Sequence, residues 1–139
     1  MMPRTFSLTA LALLAVVCIA PACGTRENGL GPGQSGSDRT PPTVMSIIPD
    51  DLATQVPRSG SIAITFSEPV LPASINASSI TFSPTVAGTV SYTGNTATFT
   101  PTAPLAPTTV YVATVSTGVE DPAGNNMVAP FSWTFTTAP

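Results

Sequence analysis

Between Pro41 and Pro139 apolar and polar residues alternate with period two in a series of short runs. Ile62, Ile64 and Phe66 are separated by Ala63 and Thr65. Ile80 and Phe82 flank Thr81, and Val90 and Tyr92 flank Ser91. Ala97 and Phe99 sit between threonines. Tyr111, Ala113 and Val115 share one face, while Val110 and Val112 make that run apolar on both. Phe131, Trp133 and Phe135 alternate with Ser132, Thr134 and Thr136. Each such run predicts a β-strand with one buried face. With Val44–Ile48 added, about seven strands are expected from residue 41 onward. The predicted core comprises Ile62, Ile64, Phe66, Ile80, Phe82, Phe99, Tyr111, Val115, Trp133 and Phe135.

The punctuation agrees. Gly94-Asn95 between Tyr92 and Phe99 reads as a hairpin turn. Asp121-Pro122-Ala123-Gly124-Asn125-Asn126 is a loop dense in turn formers. Pro69 and Pro72 end the Ile62–Phe66 strand, and one helical turn fits within Pro72–Ser79. No 3.6-residue period occurs in this region. The fold class is therefore all-β, an Ig-like Greek-key β-sandwich by size and strand count. Leu105-Ala106-Pro107 ahead of Tyr111 resembles the tyrosine corner of such sandwiches, in which a Tyr hydroxyl bonds back to the preceding turn.

Residues 1–40 have a different texture. Arg4 precedes an apolar run, Phe6–Ile19, whose 14 residues suit a signal-peptide core and are few for a membrane span. Ala20-Pro21-Ala22 places small residues three and one positions before Cys23. This resembles the lipobox of bacterial lipoproteins, in which the Cys receives a lipid and becomes the N-terminus. Ala20 and Pro21 depart from its usual pattern, and an ordinary secretory peptidase would also cut before Cys23. Cys18 lies inside the removed segment, so Cys23 would be left as the lone cysteine, which favours the lipid anchor. Residues 1–22 are thus expected to be a signal peptide. Residues 23–40 are expected to be a lipidated Cys and a flexible linker: Gly24–Thr40 holds five Gly in 17 residues and one large apolar residue, Leu30.

Charge excludes several functions. The four basic residues are Arg4, Arg26, Arg39 and Arg58, too few and too scattered for a nucleic-acid face. His is absent, so the commonest general base and metal ligand are missing. Serine and threonine abound but have no evident activating base. Threonine has a plainer explanation in β-propensity. The chain reads as non-enzymatic. The aromatics after residue 40 sit at inward strand positions, and Trp133 between Phe131 and Phe135 reads as core rather than as a sugar platform. Asn76-Ala77-Ser78 matches a glycosylation acceptor but reads as a polar turn.

Several stretches together are similar to the bacterial Ig-like domain of the S-layer SbsA type. They include Pro41-Pro42-Thr43-Val44, Thr65-Phe66-Ser67-Glu68-Pro69-Val70, Val86-Ala87-Gly88-Thr89-Val90-Ser91-Tyr92 and Thr98-Phe99-Thr100-Pro101. Asp121-Pro122-Ala123-Gly124-Asn125 and Trp133-Thr134-Phe135-Thr136-Thr137 complete the pattern across residues 41–139. The resemblance implies a module of S-layer proteins, adhesins and other exported bacterial proteins, used as spacer or binding unit. It appears here as one copy. The expected role is a surface-anchored module for cell-envelope structure or protein interaction. The alternative is a carbohydrate- or peptide-binding lipoprotein. Expected partners are the membrane, through the anchor, and envelope proteins or glycans. The expected location is the periplasm or cell surface.

Residues 41–139 carry five acids and one base, a net charge of −4. In an Ig topology Glu68, Glu120, Asp121 and Asn125 fall at one pole, near Thr40, and Arg58 at the other. Calcium takes carboxylate and amide oxygens in irregular geometry. A weak calcium site at that pole is therefore one expectation, and solvated loop caps are the alternative.

Overall fold

A computed structural model describes residues 38–139. The expected signal peptide, Cys23 and most of the expected linker lie outside the described residues. Eight strands form: β1 (Val44–Ile48), β2 (Ala53–Val56), β3 (Ile62–Phe66), β4 (Ile80–Ser83), β5 (Gly88–Thr93), β6 (Thr96–Pro101), β7 (Val110–Val115) and β8 (Phe131–Thr137). They build two four-stranded sheets, ordered β1-β3-β6-β5 and β2-β8-β7-β4. The only helix among the described residues is a 3₁₀ turn at Pro72–Ser74, within the stretch where a single turn was expected.

The eighth strand comes from a sheet switch. β1 pairs antiparallel with β3, and Pro49, which has no N–H, cannot extend that ladder. The chain then crosses to the second sheet. The Leu52 amide donates to the Thr134 carbonyl (2.6 Å), and the Thr134 amide donates to Asp51 Oδ1 (2.9 Å). β2 then runs parallel to β8. Gln55 stands at φ 60° where the β2–β8 register shifts. A bulge there re-aims the strand.

Every core residue expected from the alternation is buried, and Ile64 and Val115 are wholly so. Phe82 and Phe99 pack at 4.5 Å between ring centroids, and Tyr111 stacks on Phe135 at 5.7 Å. Gly88 is required by this packing, because a Cβ there would lie 2.8 Å from Phe99 Cε1 and 2.5 Å from the Thr100 carbonyl oxygen. Gly94, at φ 65°, opens the two-residue β5–β6 hairpin, the conformation a primed turn needs at its first central position. The tyrosine corner is present: the Ala106 amide donates to the Tyr111 hydroxyl (3.0 Å). A second tyrosine does the same work at the other pole, where the Val70 amide donates to the Tyr92 hydroxyl (2.8 Å).

Candidate functional site

The residues with chemistry gather where β3 ends and the β7–β8 connection passes. Thr43 seats the exit from β3 by donating its amide to Ser67 Oγ (3.0 Å) and accepting the Ser67 amide at its carbonyl (2.8 Å). This fixes Glu68 beside the first strand. The β7–β8 loop is organised by Asp121, which is only 1% exposed. Its Oδ1 accepts the amides of Ala123 (2.7 Å) and Asn125 (2.8 Å), and its Oδ2 accepts the Asn125 side-chain amide (2.7 Å). Gly124, at φ 91°, lets the loop close over the carboxylate.

Asp38 completes the group. Carboxylate oxygens of Asp38, Glu68 and Asp121 lie within 4.8 Å of one another. Asp38 is held from two sides: its Oδ1 accepts the Thr40 amide (2.9 Å), and its carbonyl accepts the Asn125 side-chain amide (3.0 Å). Three residues that composition assigned to the linker, Asp38–Thr40, thus sit within the compact unit Asp38–Pro139. Desolvation first, then the charges of Asp38 and Asp121, push the Glu68 carboxyl above its ordinary value. At Asp121 desolvation pushes upward too, but the hydrogen bonds from Asn125, Ala123 and Gly124 outweigh it and hold the carboxyl below its ordinary value.

The geometry sorts the four residues expected at this pole. Glu68, Asp121 and Asn125 come together. Glu120 does not join them through its carboxylate; its backbone is tied to the 3₁₀ turn, accepting the Leu71 amide (2.8 Å) and donating to Ser74 Oγ (3.2 Å). Asp38 was missed, because it stands in a Gly- and Ser-rich run with no hydrophobic pattern. The Asp-x-Thr spacing, which lets a side chain cap its own backbone two residues on, was its one readable signal. Arg58 lies at the opposite pole, where Nε donates to the Leu105 carbonyl (2.7 Å) and its own carbonyl accepts the Leu105 amide (2.8 Å). An oxygen-ligating cation would meet three carboxylates here, whereas Asn125 turns its side-chain N–H groups, not an oxygen, towards Asp38 and Asp121.

A groove of about 330 Å³ between β4 and β5 is lined by Ile80, Phe82, Val86, Gly88 and Phe99 and holds no ionisable side chain. The eight described aromatics are buried or half-buried, none exposed. Asn76 forms a turn, its Oδ1 accepting the Ser78 amide (2.8 Å).

Two sheets in this order, with a tyrosine corner and a filled interior, define an immunoglobulin-like β-sandwich. The chain belongs to the bacterial Ig-like domain family, whose model matches residues 38–137. The N-terminal part of the bacterial S-layer protein SbsC is similar at 23% identity and TM-score 0.54, over 71% of this chain and 24% of that one. This chain therefore spans about a quarter of that structure's length. The copper resistance protein PcoC of Escherichia coli is similar at 16% identity and TM-score 0.56, over 70% of this chain and 99% of that one. An L,D-transpeptidase from Mycobacterium smegmatis is similar at 19% identity and TM-score 0.54, over 71% of this chain and 41% of that one. At these identities the likeness is one of fold. No curated protein matches the chain in sequence.

Proposed function

We propose that this chain is a non-enzymatic Ig-like module of the bacterial envelope, exported by residues 1–22 and held at a membrane through lipid on Cys23. Its role is envelope structure or protein interaction, of the kind implied by the SbsA-type resemblance. The observation that carries this reading is that the whole described unit is one family module. Its interior is filled by side chains, and its three clustered carboxylates stand at one pole. The S-layer neighbour supports an outer location. A copper role like that in PcoC's name draws no support from the residues, since His is absent and the described methionines are one exposed, Met45, and one buried, Met127. Sugar binding would call for exposed rings, and none is exposed among the described residues.

Fractionation of cells expressing the native chain and Cys23→Ser tests the proposal. The native chain should follow the membrane with a lipidated N-terminal Cys by mass spectrometry, and the variant should become soluble. A variant that stays with the membrane, or an unlipidated native terminus, refutes the anchor.

A further inference from the structure

None of the eight strands contains a charged residue. Edge strands in native sheets are usually shielded by charge, proline, bulges or shortness, because a free edge invites another strand. Three edges here are shielded in other ways. β1 and β2 carry register irregularities, and β4 is four residues long with its Ile80 amide already donated to the Asn76 carbonyl. β5 has none of these. It is six residues long and pairs with β6 without interruption from Gly88↔Pro101 to Thr93↔Thr96.

The hairpin tells which β5 backbone groups have no partner among the described residues. A two-residue turn makes Thr93 and Thr96 exchange both hydrogen bonds, and alternation assigns the same to Ser91–Thr98 and Thr89–Thr100. Gly88, Val90 and Tyr92 therefore point their N–H and C=O groups away from β6. Pro101, which has no N–H to give, stands opposite Gly88, as this phase requires.

We propose that the β5 edge pairs antiparallel with β5 of a second copy of this chain, about a two-fold axis at Val90. In that register Val90 meets its own copy and Gly88 meets the second copy's Tyr92. All three free residues then form hydrogen-bonded pairs. The contact is isologous, as a two-fold dimer demands. The side chains fit as well: the largest on the strand lies across from the residue with no Cβ. Charge does not oppose a second copy at this strand, which carries none, as is true of every strand of the sandwich. The described residues carry six acids and two bases, a net of −4, all of it in loops. Like-charged copies meet most cheaply along an uncharged strand. A six-residue pair buries less than the roughly 1,200 Å² of stable interfaces, so association is weak and shows at roughly 0.1–1 mM.

Thr89 and Ser91 are exposed and would face each other across this interface, outside the core. Thr89→Lys with Ser91→Lys places two like-charge pairs at the contact, and the matching double Glu variant does the same with opposite sign. The unit Asp38–Pro139 holds every described strand and the whole described core, so it can be studied alone, beside the full chain. In sedimentation velocity across that concentration range the native unit should dimerise. Each double variant should weaken the dimer by at least about tenfold with its melting temperature kept, and mixing the two should restore association. A native unit that stays monomeric at 1 mM overturns the proposal, as does a double Lys variant that dimerises unchanged. So does a monomer whose Gly88–Thr93 amides shift in NMR only on adding an extended apolar peptide, which would make the edge a peptide site.

Discussion

Glu68 stands beside two other carboxylates in a partly desolvated place, and its folded form holds a proton more tightly than the unfolded chain does. The stability this proton brings is fully present below the ordinary value of 4.5 and is lost as pH rises through the folded-state value. Asp121 acts in the opposite sense. Its lowered pKa contributes stability above the ordinary 3.8 that is lost as pH falls through the folded-state value. The melting temperature should therefore climb as pH drops from neutral towards 4.5 and fall again below 3.8. Glu68→Gln should raise the melting temperature at pH 7 and flatten the neutral side of that curve; a lower value at pH 7 would contradict the repulsion. The calcium expectation is tested in the same melts, in chelator and at millimolar calcium. A rise that Glu68→Gln abolishes supports it, and no rise removes it. At the other pole Thr137 is the hydrogen-bonding hub: its Oγ1 donates to the Ala106 carbonyl (2.6 Å) and accepts the Thr109 amide (2.9 Å). Thr137→Val keeps the shape and strands both partners, at a cost of about 1–3 kcal/mol by denaturant titration.

At the level of elements, the strands were readable wherever one face is buried and the other is not. Ile62–Phe66 and Phe131–Thr137 alternate almost without fault, because each has a neighbour on both sides and a core beneath. Removing the ring in Phe66→Ala should cost about 3–5 kcal/mol in a urea titration. Gly88→Ala should destabilise by about 1–3 kcal/mol, since Phe99 and the Thr100 carbonyl must shift. β2 was not legible. Its four residues show no alternation, its partner β8 is reached through loop hydrogen bonds, and Leu52 and Gln55 adopt left-handed conformations that nothing in their type announces. The acid pole was half legible. Turn formers mark Asp121 and Asn125, and topology brings Glu68 to them. The place of Asp38 depends on a long-range bond from Asn125 that no local pattern encodes.

For the molecule as a whole, the charge distribution is polar in the geographic sense. Three carboxylates share one end, and Arg58, the sole base after residue 40, is bonded to a carbonyl at the other. Added monovalent salt should therefore raise the melting temperature by screening repulsion, and less so in Glu68→Gln. Both cysteines lie before residue 38, so packing alone holds the sandwich and reductant should leave its melting unchanged. The parallel pairing of β2 with β8 has a mechanical side. The chain enters the described unit at the acid pole and leaves β8 at the Arg58 pole, where the Ala138 amide donates to the Val56 carbonyl (3.0 Å). A pull between these ends runs along the strands. It drags β2 and β8 in opposite directions, so their hydrogen bonds share the load together instead of parting one by one. Tension applied between these ends of the described unit thus loads the β2–β8 ladder in shear, as a fastener is loaded.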